Sequence, residues 1–93
     1  MDLEELRNKI RETDIEILEL MKKRIDLAIE VGKYKKDHKE GVRNLSVEEK
    51  VIKRYREFAE ENGIDPDFAE EICKLLMKES VNVQEALIEN HSR

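Results

Sequence analysis

The pattern of apolar positions in the first 38 residues predicts one long amphipathic α-helix. Side chains of one stripe recur at alternating intervals of three and four residues, which is the spacing of one helix face. A helix of about 35 residues, rising about 1.5 Å per residue, would be about 50 Å long. A compact chain of this length has a radius of gyration of only about 12 Å, so the helix predicts a partner chain. The stripe consists of Leu3, Leu6, Ile10, Thr13, Ile17, Leu20, Arg24, Leu27, Val31 and Tyr34.

A second helix is predicted after a loop at positions 38–45. Ser46 followed by Glu49 fits a capping box, so the helix should begin at Ser46. Asn62 and Gly63 should end it, because glycine readily adopts the left-handed conformation that closes many helices. Its predicted core face contains Val47, Val51, Ile52, Tyr55, Phe58 and Ala59.

A third helix is predicted from Asp65 to about Asn90. Asp65 can cap the helix and Pro66 suits its first position. The chain is therefore predicted to be all-α, a single domain over 1–93 with three helices of very long, short and intermediate length. Two such chains interlocking along their long helices, as an intertwined homodimer, would bury the exposed stripe. The predicted core side of the third helix contains Phe68, Ala69, Ile72, Leu75, Leu76, Val83 and Leu87.

Composition narrows the functional classes. Few aromatic residues and a charged fraction of 44% agree with a helical protein. The net charge of -5 argues against nucleic acid, and no apolar run is long enough to cross a membrane. The single cysteine, Cys73, and a charged N-terminus without a secretory signal favour the cytoplasm. The two histidines have no ligand cluster at suitable spacing, so no metal site is expected.

Several polar residues do not fit a simple helical bundle. Arg24 lies within the apolar stripe, where it either serves as a specificity charge that reaches solvent or binds an anion. Lys35 lies three helical turns further on the same side. Ser80 and Gln84 share one face of the third helix. Each alone would be read as a surface side chain, but together they can line one cavity between helices. Arg7 is about 25 Å from Arg24 along the helix, so it could reach only a partner's cavity.

Three segments resemble the all-helical class of chorismate mutases. They are LRNKI at 6–10 with Asp14 following, KKRIDLAIEVGKYK at 22–35, and ESVNVQEALIENH at 79–91. The resemblance implies an intertwined homodimer with two equivalent sites, each receiving one arginine from the other subunit. It also implies a [3,3]-sigmatropic rearrangement of chorismate to prephenate in aromatic amino-acid biosynthesis, with no cofactor.

The resemblance assigns expected roles to individual residues. Arg7 resembles the arginine that crosses the dimer to a substrate carboxylate, and Arg24 the one that binds a carboxylate within its own subunit. Lys35 matches a lysine that meets the ether oxygen and a carboxylate. Gln84 matches a glutamine on the opposite side of that oxygen. Ser80 matches a serine near a carboxylate.

The start of the second helix both matches the family and departs from it. Glu48 matches a glutamate that accepts a hydrogen bond from the substrate hydroxyl. Asn44 stands where the family commonly has Asp, which is tolerable if the backbone makes the contact. Val47 stands where an arginine is usual, so the pocket would lose a cation. Arg43 or Lys50, one turn away, could compensate.

Two other functions remain open at this stage. Elimination of pyruvate from isochorismate also needs cations around an ether oxygen. A non-catalytic helical dimerisation or regulatory module is the other alternative, and Val47 would then mark a decayed site.

Overall fold

The computed structural model describes residues 1–91, which form three α-helices: α1 (Leu3–Asp37), α2 (Leu45–Glu61) and α3 (Pro66–His91). No strand occurs within this described range. The all-α prediction is therefore confirmed. The molecule measures 55 × 26 × 15 Å, and its length reflects the 35-residue α1. No described helix is long and apolar enough to cross a membrane.

Helix α1 is continuous, as the periodicity predicted. Its N-cap is Asp2, whose Oδ1 accepts a hydrogen bond of 2.8 Å from the Glu5 amide. Lys35 and Lys36 lie in the last turn, where positive charge interacts favourably with the helix dipole. Because no break interrupts α1, Arg7 and Lys35 lie near opposite ends of one long rod.

Helix α2 begins earlier than the capping-box pattern predicted. Asn44 is the N-cap, and its side-chain oxygen accepts from the Val47 amide at 3.2 Å. Ser46 is already inside the first turn, so the capping box predicted at Ser46 and Glu49 is wrong. Asparagine caps as well as serine does, and here it precedes the serine by two positions. The predicted end is confirmed by Gly63, which has a left-handed φ of 71°.

Helix α3 begins as predicted. Pro66 is its first residue, and the side chain of Asp65 accepts a hydrogen bond of 2.9 Å from the Asp67 amide. Proline suits this position because it lacks the N–H that the first helical turn would leave unpaired. The short connection from Gly63 therefore returns the chain along α2.

Helix α3 is central, because it packs against both α1 and α2, whose Cα atoms do not come within 8 Å of each other in the described residues. It runs parallel to α1: Arg24 contacts Ser80, and Ala28 further along α1 contacts Gln84. It runs antiparallel to α2. Arg56 near the end of α2 pairs with residues in the first turns of α3, Asp67 at 3.0 Å and Glu70 at 3.3 Å.

Most of the long stripe of α1 is exposed in the single chain, although Arg24 within it hydrogen-bonds to α3. Leu3, Ile10 and Leu20 are between 60% and 64% exposed in the single chain. The buried residues of α1 are instead Ala28 and Gly32, which continue the four-residue spacing from Arg24. The first half of α1 has no buried residue, so its apolar face is available for a second chain.

Several large side chains of the predicted core faces of α2 and α3 are exposed in the single chain. Phe58, Phe68 and Leu75 are each more than half exposed, whereas Ala59 and Cys73 are fully buried. Helices approach most closely where side chains are small, so small residues occupy the contacts and larger ones flank them.

Candidate active site

A cleft of about 560 Å³ lies where the three helices and the α1–α2 loop meet. It is lined mainly by apolar side chains, with a smaller number of polar and charged ones. Such a mixture is typical of small-molecule sites, in which a few polar groups orient the ligand. Six of the seven candidate site residues line it: Arg24, Lys35, Asn44, Glu48, Ser80 and Gln84.

Arg24 is half-buried and fixed by α3. Its Nη1 donates to the Leu76 carbonyl at 3.0 Å and to Ser80 Oγ at 2.6 Å. Among the described side chains, no carboxylate forms a salt bridge with Arg24, so the guanidinium keeps its charge unneutralised at the cleft. The remaining N–H donors suit an anionic ligand.

Ser80 supports Arg24 in this arrangement. Because a guanidinium only donates, the Ser80 oxygen accepts from it, and the hydroxyl donates to the Leu76 carbonyl at 3.1 Å. The single hydroxyl proton is therefore used within α3. As placed here, Ser80 orients the arginine, and a direct hydrogen bond to a ligand would require its hydroxyl to turn.

Gln84 is the only buried polar side chain in the part of the chain whose burial is described, with 5% exposure. Its Nε2 donates to the Ala28 carbonyl at 3.0 Å, across the contact between α1 and α3. A carbonyl can only accept, so this bond determines which end of the amide is the NH₂ group. Gln84 also lines the cleft, and its amide nitrogen has a second hydrogen that the bond to Ala28 does not use.

Lys35 is half-buried at the end of the cleft nearest the α1–α2 loop. Its Nζ donates to the Val42 carbonyl at 2.5 Å, which joins the last turn of α1 to that loop. An ammonium group has three hydrogens, so two remain for a ligand. The loop contact thus holds the charge at the cleft without neutralising it.

Glu48 is held by a two-point ion pair with Arg43. The Arg43 Nε and Nη2 atoms donate to the two carboxylate oxygens at 3.1 and 2.9 Å. These hydrogen bonds are the largest influence on the carboxyl group and lower the pKa of Glu48, while its partial burial opposes them and the charge of Lys35 adds a smaller lowering. Glu48 is therefore ionised and can accept hydrogen bonds.

Neither residue suggested as a replacement for the usual arginine lines the cleft. Val47 does line it, and is 51% exposed. Arg43 is paired with Glu48 and lines a neighbouring groove instead of the cleft. Lys50 lines another surface groove together with Val47. The structure therefore does not support compensation by either residue. Asn44 lines the cleft, and its side-chain oxygen is oriented towards α2 because it accepts from the Val47 amide.

Glu40 is a lining residue that the sequence did not indicate. It precedes Gly41 in the α1–α2 loop, where no periodicity exists from which to infer its direction. With Glu40 and Glu48 opposing Arg24 and Lys35, the charged lining of one chain balances to zero. A single chain therefore offers less positive charge than the sequence predicted.

Arg7 does not line this cleft. It is exposed and lies 17 positions before Arg24 on an unbroken helix, about 25 Å away at 1.5 Å per residue. Its own chain therefore cannot deliver it to Lys35 or Gln84.

A second cavity of about 400 Å³ lies near the α2–α3 connection. Arg54 is its one charged lining residue, and its remaining lining is apolar, including Tyr55, Phe58 and Phe68. One cation on an apolar surface is poorly suited to a ligand with two negative charges, so the first cleft is the better candidate.

Comparison with known proteins matches most of this chain to one family. Residues 6–85, most of the chain, match the family described as chorismate mutase type II. The chain belongs to this family. All the lining residues discussed above fall within the matched range.

The chorismate mutase type II match is accompanied by similarity to longer curated proteins. The chain is 31% identical over 86 residues to the bifunctional chorismate mutase/prephenate dehydratase of Escherichia coli (strain K12), covering 92% of this chain and 22% of that protein. It is 33% identical over 78 residues to the T-protein of Haemophilus influenzae, covering 84% of this chain and 21% of that protein. The chain thus spans about a fifth of the length of these relatives.

Proposed function

We propose that this chain is a chorismate mutase, which rearranges chorismate to prephenate in aromatic amino-acid biosynthesis. The observation that carries the proposal is that Arg24 and Lys35 of α1 line one cleft with Gln84, which comes from the distant helix α3. The match to the chorismate mutase type II family supports it. We also propose a cytoplasmic location, in keeping with a single, buried cysteine.

We propose that the working form is an intertwined homodimer in which Arg7 enters the partner's cleft. Two observations support this. The apolar stripe of α1 is uncovered in the single chain, and the charged lining of one cleft sums to zero. A dianionic substrate needs additional positive charge, and Arg7 is the family-matched cation that its own chain cannot use.

The cleft would act first by restricting the substrate's conformation. Chorismate has two carboxylates and must adopt a compact, chair-like shape before its ends can bond. Arg24, held by α3, would bind one carboxylate and the partner's Arg7 the other. Fixing both ends converts a rare conformation into the bound one, which lowers the entropic part of the barrier.

The second contribution would be electrostatic. Negative charge grows on the ether oxygen as its bond to carbon stretches. Lys35 and the free hydrogen of the Gln84 amide would donate to that oxygen, and both donors are already fixed by the Val42 and Ala28 carbonyls. Fixed donors stabilise the transition state more than the ground state. Ionised Glu48 would accept from the substrate hydroxyl.

Incubation with chorismate, followed by chromatography for prephenate, tests the reaction. A parallel incubation with isochorismate, followed for pyruvate, tests the lyase alternative. We expect prephenate from the first and little pyruvate from the second. If neither substrate reacts and neither raises the melting temperature, the chain is a non-catalytic module.

Mixed dimers test the shared site. Arg7→Ala and Lys35→Ala homodimers should both be poorly active. After full subunit exchange, half of the dimers are mixed and each has one intact cleft, so about a quarter of wild-type activity should return.

A matched control uses Arg24→Ala with Lys35→Ala. Both residues line the same chain's cleft, so every site in that mixed dimer carries one defect and no activity should return. Absence of rescue in the Arg7 mixture despite demonstrated exchange, or equal rescue in the control, would contradict the shared site.

A further inference from the structure

The contact between α1 and α3 accommodates Gln84 because residue 32 is a glycine. Gly32 is buried, and a Cβ placed on it would lie 2.9 Å from Gln84 Cγ and 3.4 Å from Gln84 Cβ. Carbon atoms in favourable contact are about 3.5–4.0 Å apart, so the shorter distance is a steric overlap. Leu87 Cδ2 would also lie at 3.4 Å, so the added methyl group would have α3 side chains on more than one side.

Gln84 cannot remove this overlap by moving only the far end of its side chain. The overlap is at Cγ, close to the backbone, while the amide end is held by the Ala28 carbonyl. Moving Cγ requires either rotation about the Cα–Cβ bond or separation of the two helices. Both movements displace Nε2, because a side chain with 5% exposure has little free space around it.

We propose that Gly32 is a positioning residue for the reaction: the space left by its missing side chain fixes where Gln84 Nε2 enters the cleft. This inference rests on the proposed function, in which that amide donates to the ether oxygen. Gly32 itself does not contact the substrate. Because the amide acts on charge that develops in the transition state, displacing it lowers kcat more than it changes substrate binding.

The first test is Gly32→Ala, measured by steady-state kinetics. Displacement of a reacting group by about 1 Å can cost about 100-fold, so we expect kcat to fall about 10- to 100-fold. KM should stay within about threefold, because the carboxylate-binding arginines are untouched. Gly41→Ala is the matched control, since a Cβ there meets nothing within 4 Å, and it should leave kcat unchanged. Full kcat in Gly32→Ala would overturn the proposal.

The second test repeats Gly32→Ala in a Gln84→Ala background. Alanine has no Cγ, so the 2.9 Å overlap disappears, and only the 3.4 Å contacts with Cβ of residue 84 and with Leu87 Cδ2 remain. If Gly32 acts through Gln84, the second substitution should lower kcat no further than Gln84→Ala alone. An equal fold-loss in both backgrounds would show that Gly32 affects the cleft by another route and would overturn the proposal.

Thermal unfolding gives a readout that does not depend on activity. It is measured for the wild-type chain, Gly32→Ala, Gln84→Ala and the double variant. Alanine forms helix better than glycine, so Gly32→Ala should raise the melting temperature in the Gln84→Ala background and lower it in the wild-type background. A rise in both backgrounds would overturn the steric argument. If Gly32→Ala alone fails to fold, the double variant should still fold. A double variant that also fails to fold would overturn the proposal. A chain that shows this stability pattern but does not convert chorismate would refute the proposed function, and with it the role of Gly32 in the reaction, but would support the steric effect of Gly32 on Gln84.

Discussion

Replacing Gln84 by glutamate should make the reaction depend on acid conditions. The wild-type amide does not titrate, whereas the introduced carboxyl group does. The amide donates one hydrogen to the Ala28 carbonyl at 3.0 Å and would offer the other to the ether oxygen. A carboxylate of the same shape has no hydrogen for either, whereas a protonated carboxyl has one. Activity in Gln84→Glu should therefore follow the protonated fraction.

The size of the effect follows from the burial of the site. Gln84 is 5% exposed, and an ionised carboxyl there would face the Ala28 carbonyl oxygen. Burial and this repulsion both raise the pKa of the introduced carboxyl above its usual value, while the charge of Lys35 in the same cleft limits the rise. Loss of one such donor costs about 3 to 4 kcal/mol of barrier, so kcat at neutral pH should fall about 100- to 1000-fold.

Stability should change with pH in the same direction. A group whose folded-state pKa is raised contributes its full stability below its unfolded pKa and loses it as the pH rises through the folded value. Gln84→Glu should therefore melt at its highest temperature, relative to the wild-type chain, under acid conditions. Its melting temperature should fall relative to wild type as the pH is raised towards neutrality.

The assay is kcat against pH for the wild-type chain, Gln84→Glu and Gln84→Ala. Gln84→Ala is the matched control, because it removes the donor without adding a titrating group, so its low activity should not gain from acid. A profile for Gln84→Glu that parallels that of Gln84→Ala would remove this side chain from the ether oxygen.

Three further predictions concern charges at the cleft. Lys35→Ala should lower kcat about 100-fold or more while lowering the melting temperature by no more than about 5 °C, because one hydrogen bond to a carbonyl contributes little net stability; near-normal turnover would exclude the lysine from the mechanism. Arg43→Gln should raise the pKa of Glu48 towards its usual value, so the acid limb of kcat/KM should move to higher pH, and Arg43→Lys should move it less; an unshifted limb would contradict the need for ionised Glu48. Val47→Arg should lower KM about tenfold, because a charged hydrogen bond at a half-exposed position contributes a free energy at the lower end of its usual range. An unchanged KM would show that a cation there is not needed.

The sequence alone determined the secondary structure and most of the candidate site. Helix ends are local events, so Asp65, Pro66 and Gly63 could be assigned from neighbouring residues. The exception was Asn44, where two suitable caps lay two positions apart. Periodicity together with the family resemblance also selected the residues that line the cleft, because residues on one helix face remain together whatever that helix packs against.

Only the tertiary structure decided which faces meet. On sequence, the large apolar stripe was the obvious buried face of α1, yet α3 packs beside it, on Ala28 and Gly32, because helices approach most closely over small side chains. This packing of α3 on Ala28 and Gly32 leaves the apolar stripe open for a second chain. It also brings Gln84 against a backbone carbonyl from a distant part of the sequence. The position of Glu40 in the cleft was likewise beyond prediction, since a loop has no repeating geometry and its side-chain directions follow from packing between distant segments.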